Sequence, residues 1–303
     1  MAAPLARRKL GLVTSAATAW ATEYGPLGAP LLSPNSSPAV IADFLTHVRR
    51  TSGDAVLAFP FVPLDGPAAA ALTTAPGWDV VCEGEEARAC HAGGAEGEEQ
   101  FAMAFRGKRR KEMTRLRRRL EEVGPVQFAS HHGMDAVHQF ENFLQLEASG
   151  WKGKRGTALL SHHNSAAFTR GMVAERAAED GVRIDSITVG GKPIAMLTVL
   201  IEGARAFSWK IAFDEDYARY SPGTQITLFA FERNLSDPRI TGADSLAIPG
   251  HPMIDPLWRG RMRYGTLLCA NSVRGRVLRR ISKADMAAES RLRKMARKLL
   301  RRG

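Results

Sequence analysis

The chain has 303 residues, 45% of them apolar and 24% charged, with a formal net charge of +11. That is an ordinary globular composition, enough for one large domain or two smaller ones with ample core. It excludes a disordered chain, and no run of about 18 apolar residues exists to span a membrane. The positive charge is confined to two segments. Arg106 to Arg119 carries nine basic residues against Glu112, and residues 274–303 carry twelve against Asp285 and Glu289, so the remainder is net acidic. Basicity therefore describes two stretches, which argues against a body built throughout for nucleic acid. The three cysteines, Cys82, Cys90 and Cys269, lack metal-ligand spacing, and their odd number argues against a disulfide framework. A cytoplasmic chain without a metal is expected.

In chain order, Arg7-Arg8-Lys9 and the apolar stretch after it outline a signal peptide. Thr14, Ser15 and Thr18 dilute that stretch, and it is read as an early strand at residues 10–13. A helix is predicted over residues 38–50, with Val40, Ile41, Phe44, Leu45 and Val48 on one face, and a strand over 55–62. The acidic, small-residue run at 84–100 predicts a linker, placing domains at 1–98, 99–273 and 274–303. A basic helix follows at 101–123, then a strand at 126–131 and helices at 134–149 and 165–179. Three strands come next, Val182–Val189, 193–201 and 204–213. Gly190-Gly191-Lys192 and Glu202-Gly203 supply their hairpin turns.

Residues 210–235 join the last of these strands to an amphipathic helix. Ser221 is placed as its N-cap, Pro222 at the first helical position, and Gly223 as a bare position open to a ligand. A helix start with exposed N–H groups suits a phosphate or carboxylate. A strand at 242–248, an irregular segment at 249–259 and a strand at 262–269 follow. In the C-terminal helix Val277, Ile281, Ala284, Ala288, Leu292, Met295 and Leu299 form a stripe expected to pack on its own domain.

The order β-α-α-β-β-β-α-β-β from residue 125 resembles the GNAT acyltransferase fold. Specific strings carry the likeness further. Leu146-Glu147-Ala148-Ser149-Gly150-Trp151-Lys152-Gly153 and Gly156-Thr157-Ala158-Leu159 come first. Trp209-Lys210-Ile211-Ala212-Phe213-Asp214-Glu215, Tyr220-Ser221-Pro222-Gly223, Asp244-Ser245 and His251-Pro252-Met253-Ile254 follow in the same order. They are similar to a Fem-like GNAT branch described as CelD-like (cellulose biosynthesis) or BioF-like acetyltransferases, over about residues 100–270. The resemblance implies an α/β mixed-sheet GNAT fold with a shorter, degenerate GNAT-like N-terminal half and a basic C-terminal helix. It also implies acetyl-CoA or another acyl-CoA as cosubstrate, a bulge in the fourth strand, and pyrophosphate held at the following helix start. This chain departs from the branch in its short first hundred residues and in having Thr224-Gln225 after Ser-Pro-Gly. Those two residues add a hydroxyl and an amide at the phosphate site.

Acyl transfer from a thioester requires an anchored donor, a polarised carbonyl and an acceptor stripped of a proton. Ser221, Gly223, Thr224 and Gln225 are assigned to the pyrophosphate, and the backbone near Ile211, Ala212 and Phe213 to the carbonyl. Asp244, at a strand start, and His251, beside it, are the candidate bases. Lys210 is a candidate for the developing oxyanion, and Tyr220 for protonating the leaving thiolate. Trp151, Lys152, Trp209 and Asp214 are assigned to the acceptor, because tryptophan offers a stacking face and lysine a cation. The expected acceptor is a sugar, polysaccharide precursor or amino compound. Two alternatives accompany this reading: a Fem-like aminoacyl-tRNA-dependent transferase, and a non-catalytic polyanion-binding module. The basic C-terminal helix suits anionic lipid or nucleic acid, which allows a peripheral location at the inner membrane face; an oligomer is also compatible.

Overall fold

The computed structural model describes residues 1–33 and 36–300. The chain divides into two compact units, Met1–Ala87 with Met262–Gly303, and Arg88–Arg261. In the first unit β1 (Leu5–Lys9) and β2 (Ser15–Ala19) form an antiparallel hairpin. Residues 10–13, expected as a strand, are the connection between them. The N–H groups of Leu12, Val13 and Thr14 donate to the Asp285 carboxylate instead of to a ladder. The predicted helix is α1 (Pro38–Ser52), which starts where the Ser37 hydroxyl accepts from the Val40 N–H and ends at Gly53, φ 72°. Ile41, Leu45 and Val48 are its buried face. β3 (Leu57–Pro63) pairs parallel to β2, and α2 (Pro67–Thr73) leads to β4 (Asp79–Ala92).

The linker expected at residues 84–100 is absent: β4 runs through its first half and α3 (Gly94–Ala104) takes up the rest. One glutamate of the stretch, Glu85, and Glu83 just before it are matched from far along the chain. Glu85 pairs with Arg263, and Glu83 with Lys283. The predicted basic helix is likewise shorter, because the chain breaks after α3 and restarts at Gly107, φ 56°, as α4 (Gly107–Glu121).

The second unit then follows the expected order. β5 (Val126–His131), α5 (Gly133–Ser149), the one-turn α6 (Trp151–Lys154) and α7 (His163–Ala178) come first. β6 (Val182–Val189), β7 (Lys192–Glu202) and β8 (Arg205–Phe213) form an antiparallel meander with β5. Gly190 and Gly191, at φ 56° and 80°, make the turn between β6 and β7. α8 (Pro222–Ser236) follows β8, and β9 (Gly242–Asp244) pairs parallel to β8 and antiparallel to the end of β4. β9 is shorter than predicted because Asp244 and Ser245 turn their side chains onto the N–H groups of Leu246 and Ala247. Such local bonds compete with a ladder and end it.

The core of this unit packs α8, through Ile226 and Phe231, against Leu197 and Val199 of β7, with Trp258 in the same cluster. Phe140, Phe143 and Leu144 of α5 are also fully buried. Each such side chain contributes roughly 1.5–3 kcal/mol relative to exposure. The chain returns to the first unit in β10 (Gly260–Ala270), antiparallel to β3, and ends in α9 (Val273–Leu300). Leu299 lies where side chains are not described, and residues 301–303 of the predicted basic helix lie outside the described residues. Among the described residues, no helix is long and apolar enough to cross a membrane.

Candidate active site

β8 organises the site. Its register against β7 jumps between Thr198↔Lys210 and Val199↔Ser208, leaving Trp209 as an extra residue, the bulge expected in the fourth strand. On its other side β8 pairs with β9 through only three residues, Arg205↔Gly242 to Phe207↔Asp244. Among the described residues, no strand pairs with the Ile211–Phe213 end of β8 on that edge. The Asp214 N–H donates to Ile194 O on the β7 side. Period-two alternation therefore turns the Ala212 N–H toward β7 and the Ile211 and Phe213 N–H groups toward the unpaired edge. Of the three residues assigned to the carbonyl, Ile211 and Phe213 turn their N–H groups to that edge and Ala212 does not.

The helix start after β8 differs from the expected cap. Ser221 occupies the N-cap position but adopts φ 52°, ψ 50°, and its hydroxyl makes no capping bond. For a non-glycine residue that left-handed conformation carries a strain of about 1 kcal/mol. Gly223 is not bare. A Cβ there would meet the Met253 sulfur at 2.8 Å, so the 249–259 segment lies over it. Gln225 is buried and spends its amide on Tyr220 O at 2.8 Å. Thr224 lines an open cleft of about 360 Å³, together with Lys108, Arg109, Glu112, Pro252 and Met253, while Gln225 lines a separate one of about 480 Å³ beside Phe101 and Phe105. The Thr224 N–H falls in the first helical turn, where no intrahelical acceptor exists. Arg109 is held in place by Ala104 O and Pro256 O at 2.9 and 3.1 Å. Lys108 and Arg109 sit in a segment that sequence reasoning treated as a charged helix face. Only the fold brings them to Thr224.

The candidate bases separate clearly. The Asp244 side chain is fully buried, and Arg88 grips both its oxygens at 2.8 and 2.6 Å. Oδ1 also accepts from Leu246 N–H at 2.9 Å. An acceptor substrate has no path to it, so Asp244 is the counter-ion of Arg88 and not the base. His251 is half-buried in the 249–259 segment, where its Nδ1 faces the Met253 N–H at 3.4 Å. Tyr220 has a buried ring with the Arg219 guanidinium 4.8 Å from its centre. Lys210 lies with its ammonium 5.5 Å from the Trp209 ring.

The acceptor assignments also divide. Trp209 is buried at the bulge, so it offers no stacking face to a substrate. Trp151 is half-exposed, with the Arg155 guanidinium 5.2 Å from its ring. Lys152 is tied up. Its ammonium donates to the buried Glu147 carboxylate at 2.8 Å and to Ile211 O at 2.9 Å. The second Glu147 oxygen accepts from Leu159 N–H at 2.8 Å. Gly153 packs so tightly on the Ala148 carbonyl that no side chain fits. The two signature strings thus build one knot that fastens the 150–159 loop to the edge of β8 through Lys152.

Asp214 lines a second cleft of about 550 Å³ with Asn142, Ser149, Lys154, Lys192 and Glu215. Burial works to raise its carboxyl, but bonds from Lys192 and the Asp216 N–H outweigh it and hold the group below its ordinary range. Glu215 accepts from the Trp151 N–H and Lys154, each at 2.8 Å.

One buried network escaped the sequence altogether. His91 lies within the expected linker, yet it is 2% exposed, stacked on Phe231 at 4.0 Å and edge-on to Trp258. Its Nδ1–H donates to Ala92 O, and Nε2 accepts from the Asn234 amide at 3.1 Å. Asn234 accepts in turn from Arg183, which pairs with Asp185 through two bonds of 2.9 Å. Burial pushes the imidazole down to about 4, with Arg205 and Arg183 adding to the effect against the bond to Ala92.

A four-stranded meander with a bulged last strand, a parallel strand that leaves it after three residues and a helix rising between them define a GNAT acyltransferase fold. Residues 107–247 match the family model described as Acetyltransferase (GNAT) domain, which supports an acyltransferase enzyme. Solved structures agree on the fold. FemX superposes with a TM-score of 0.55 at 10% identity, covering 92% of this chain and 86% of that one. The C-terminal domain of a putative lysylphosphatidylglycerol synthetase from Agrobacterium fabrum gives 0.54 at 12%, covering 92% and 84%. L-PGS from Bacillus licheniformis gives 0.50 at 14%, covering 85% and 81%. No curated protein sequence matches the chain.

Proposed function

We propose that the protein transfers an acyl group, acetyl in the simplest case, from coenzyme A to a hydroxyl or amine of a sugar, polysaccharide precursor or amino compound. This is the chemistry its resemblance to CelD-like and BioF-like enzymes implies. The observation that carries the reading is the Ile211–Phe213 end of β8, which no strand pairs on its β9 side among the described residues and which leads through the turn Glu215–Tyr220 to the start of α8. The thioester carbonyl lies along that edge, polarised by the N–H groups of Ile211 and Phe213. The pyrophosphate rests at Thr224, with Lys108 as its cation, and not at Ser221, Gly223 or Gln225.

The acceptor occupies the polar cleft of Asp214, Lys192 and Asn142, with Trp151 at its rim. Its lone pair attacks the carbonyl carbon, the C–S bond breaks, and coenzyme A leaves as a thiolate that Tyr220 protonates. His251 takes the proton lost by the acceptor. Titration calorimetry with acetyl-CoA tests the donor site. Lys108→Ala removes one charge-assisted bond and weakens binding about 10-fold. Unchanged affinity in the variant, or no binding of acetyl-CoA to the parent protein, refutes the assignment.

A second reading has one observation in its favour. α4 exposes Arg110, Lys111, Arg115 and Arg118 around a shallow cleft of about 400 Å³. A charged transfer RNA as donor would use that face, with affinity falling steeply as salt rises. Binding of aminoacyl-tRNA in place of acetyl-CoA would select this reading.

A further inference from the structure

α9 is docked by the opposite face from the one its apolar stripe predicts. Gly275, Arg279, Ser282 and Asp285 are the buried positions. A Cβ on Gly275 would meet Ala55 O at 2.6 Å, so the helix lies close against its own unit there. Arg279 donates to the Asp79 carboxylate and carbonyl at 2.8 and 2.9 Å. The Asp285 carboxylate accepts from the N–H groups of Leu12, Val13 and Thr14 and from the Thr14 hydroxyl. The helix is thus fixed by polar groups.

The stripe faces outward. Val273, Val277, Ile281, Leu292 and Met295 are 71%, 51%, 48%, 53% and 60% exposed. Their spacing holds them within roughly 100° of the helix circumference. Arg276, Arg280 and Arg291 are exposed and flank this stripe, while Lys283 is paired with Glu83. The two acids of the helix do not offset them: Asp285 is turned inward, and Glu289 is paired with Arg293 at 2.6 Å.

We propose that this face lies in the headgroup layer of an anionic lipid bilayer, with the stripe inserted among the acyl chains and the arginines against the lipid phosphates. An interfacial helix needs both an apolar face and a cationic rim, and this one has both on its free side. A second copy of the chain fits poorly, since pairing two such faces brings unmatched rows of arginine together. Nucleic acid answers the arginines but leaves Val277, Ile281 and Leu292 in water.

The test is sedimentation of the full chain with extruded vesicles of phosphatidylcholine alone or mixed with phosphatidylglycerol. The protein is expected to pellet with the mixed vesicles only, and less at high salt. Arg276→Gln with Arg280→Gln removes two surface cations and weakens partitioning on the order of 25-fold. Ile281→Ser with Leu292→Ser abolishes pelleting while the circular dichroism spectrum and Tm stay unchanged, because both side chains are already in water. Equal binding to neutral vesicles, or full binding by the Ser variant, overturns the proposal. So does a dimer in size-exclusion chromatography that Ile281→Ser dissociates, or binding to duplex RNA with none to vesicles.

Discussion

Acidification should destabilise the Arg88–Arg261 unit through a single buried imidazole. His91 sits between Phe231 and Trp258 and is held neutral, with its ring proton on Ala92 O and its other nitrogen on Asn234. Its folded value of about 4 compares with 6.5 for a free imidazole. The unfolded chain therefore binds the proton first as pH falls. The sign is fixed by that order: stability is full above about 6.5, declines between 6.5 and 4, and levels off below 4. With 1.36 kcal/mol per unit, the integrated loss is about 3 kcal/mol, a large share of a typical folding free energy. Urea unfolding across this range, run beside His91→Gln, isolates the contribution from the other seven histidines. The parent should lose about 3 kcal/mol more than the variant between pH 7 and 4. Parallel curves for the two proteins, or an imidazole resonance of His91 titrating near 6.5, would refute the reasoning.

Three further outcomes follow from buried charge. Asp244→Asn leaves the Arg88 guanidinium buried without its counter-ion and should cost about 3–5 kcal/mol in urea unfolding, with donor affinity in calorimetry unchanged for whatever fraction is folded. Lys152→Met strands the Glu147 carboxylate and should cost about 3 kcal/mol, whereas Lys152→Met with Glu147→Gln should cost clearly less than the two single changes combined. The bonds from Thr14, from its hydroxyl first and its N–H next, with help from Val13 and Leu12, hold the Asp285 carboxyl at about 2. Its contribution is thus present above the ordinary carboxylate value of about 3.9 and fades as pH falls toward 2. Protection of the Leu12, Val13 and Thr14 amides from hydrogen exchange, taken relative to their intrinsic rates, should fall over that interval and be lost at neutral pH in Asp285→Ala.

Local chemistry made the meander legible. Gly190-Gly191 supplies positive φ where the turn requires it, and the alternating apolar residues on either side leave little freedom of register. The same locality misled at β4, where Glu85, read as part of a linker, is paired with Arg263 from the far end of the chain. The choice of Asp244 as a candidate base runs into the same difficulty. Asp244 lies 156 residues from Arg88, and nothing in either neighbourhood announces the pair. Gly223 is expected to stand bare for a ligand, but its neighbour is the Met253 side chain of the same chain. At α9 the apolar periodicity was right and its direction wrong, because Asp285 and Arg279 find backbone and carboxylate partners that no hydrophobic pattern reveals.

The order in which the units complete themselves has a consequence for synthesis. The chain leaves its first unit partway along β4 and returns only at Met262, so β10 and α9 emerge after the whole of Arg88–Arg261 has been made. The uninterrupted unit can close on the ribosome first. β1, β2 and β3 wait for the strand that pairs with β3, and at roughly 5–20 residues per second that wait lasts on the order of 10 s or more. During that interval the edge of β3 that will receive β10 is unpaired, an exposed template for wrong partners and a natural point of contact for a chaperone.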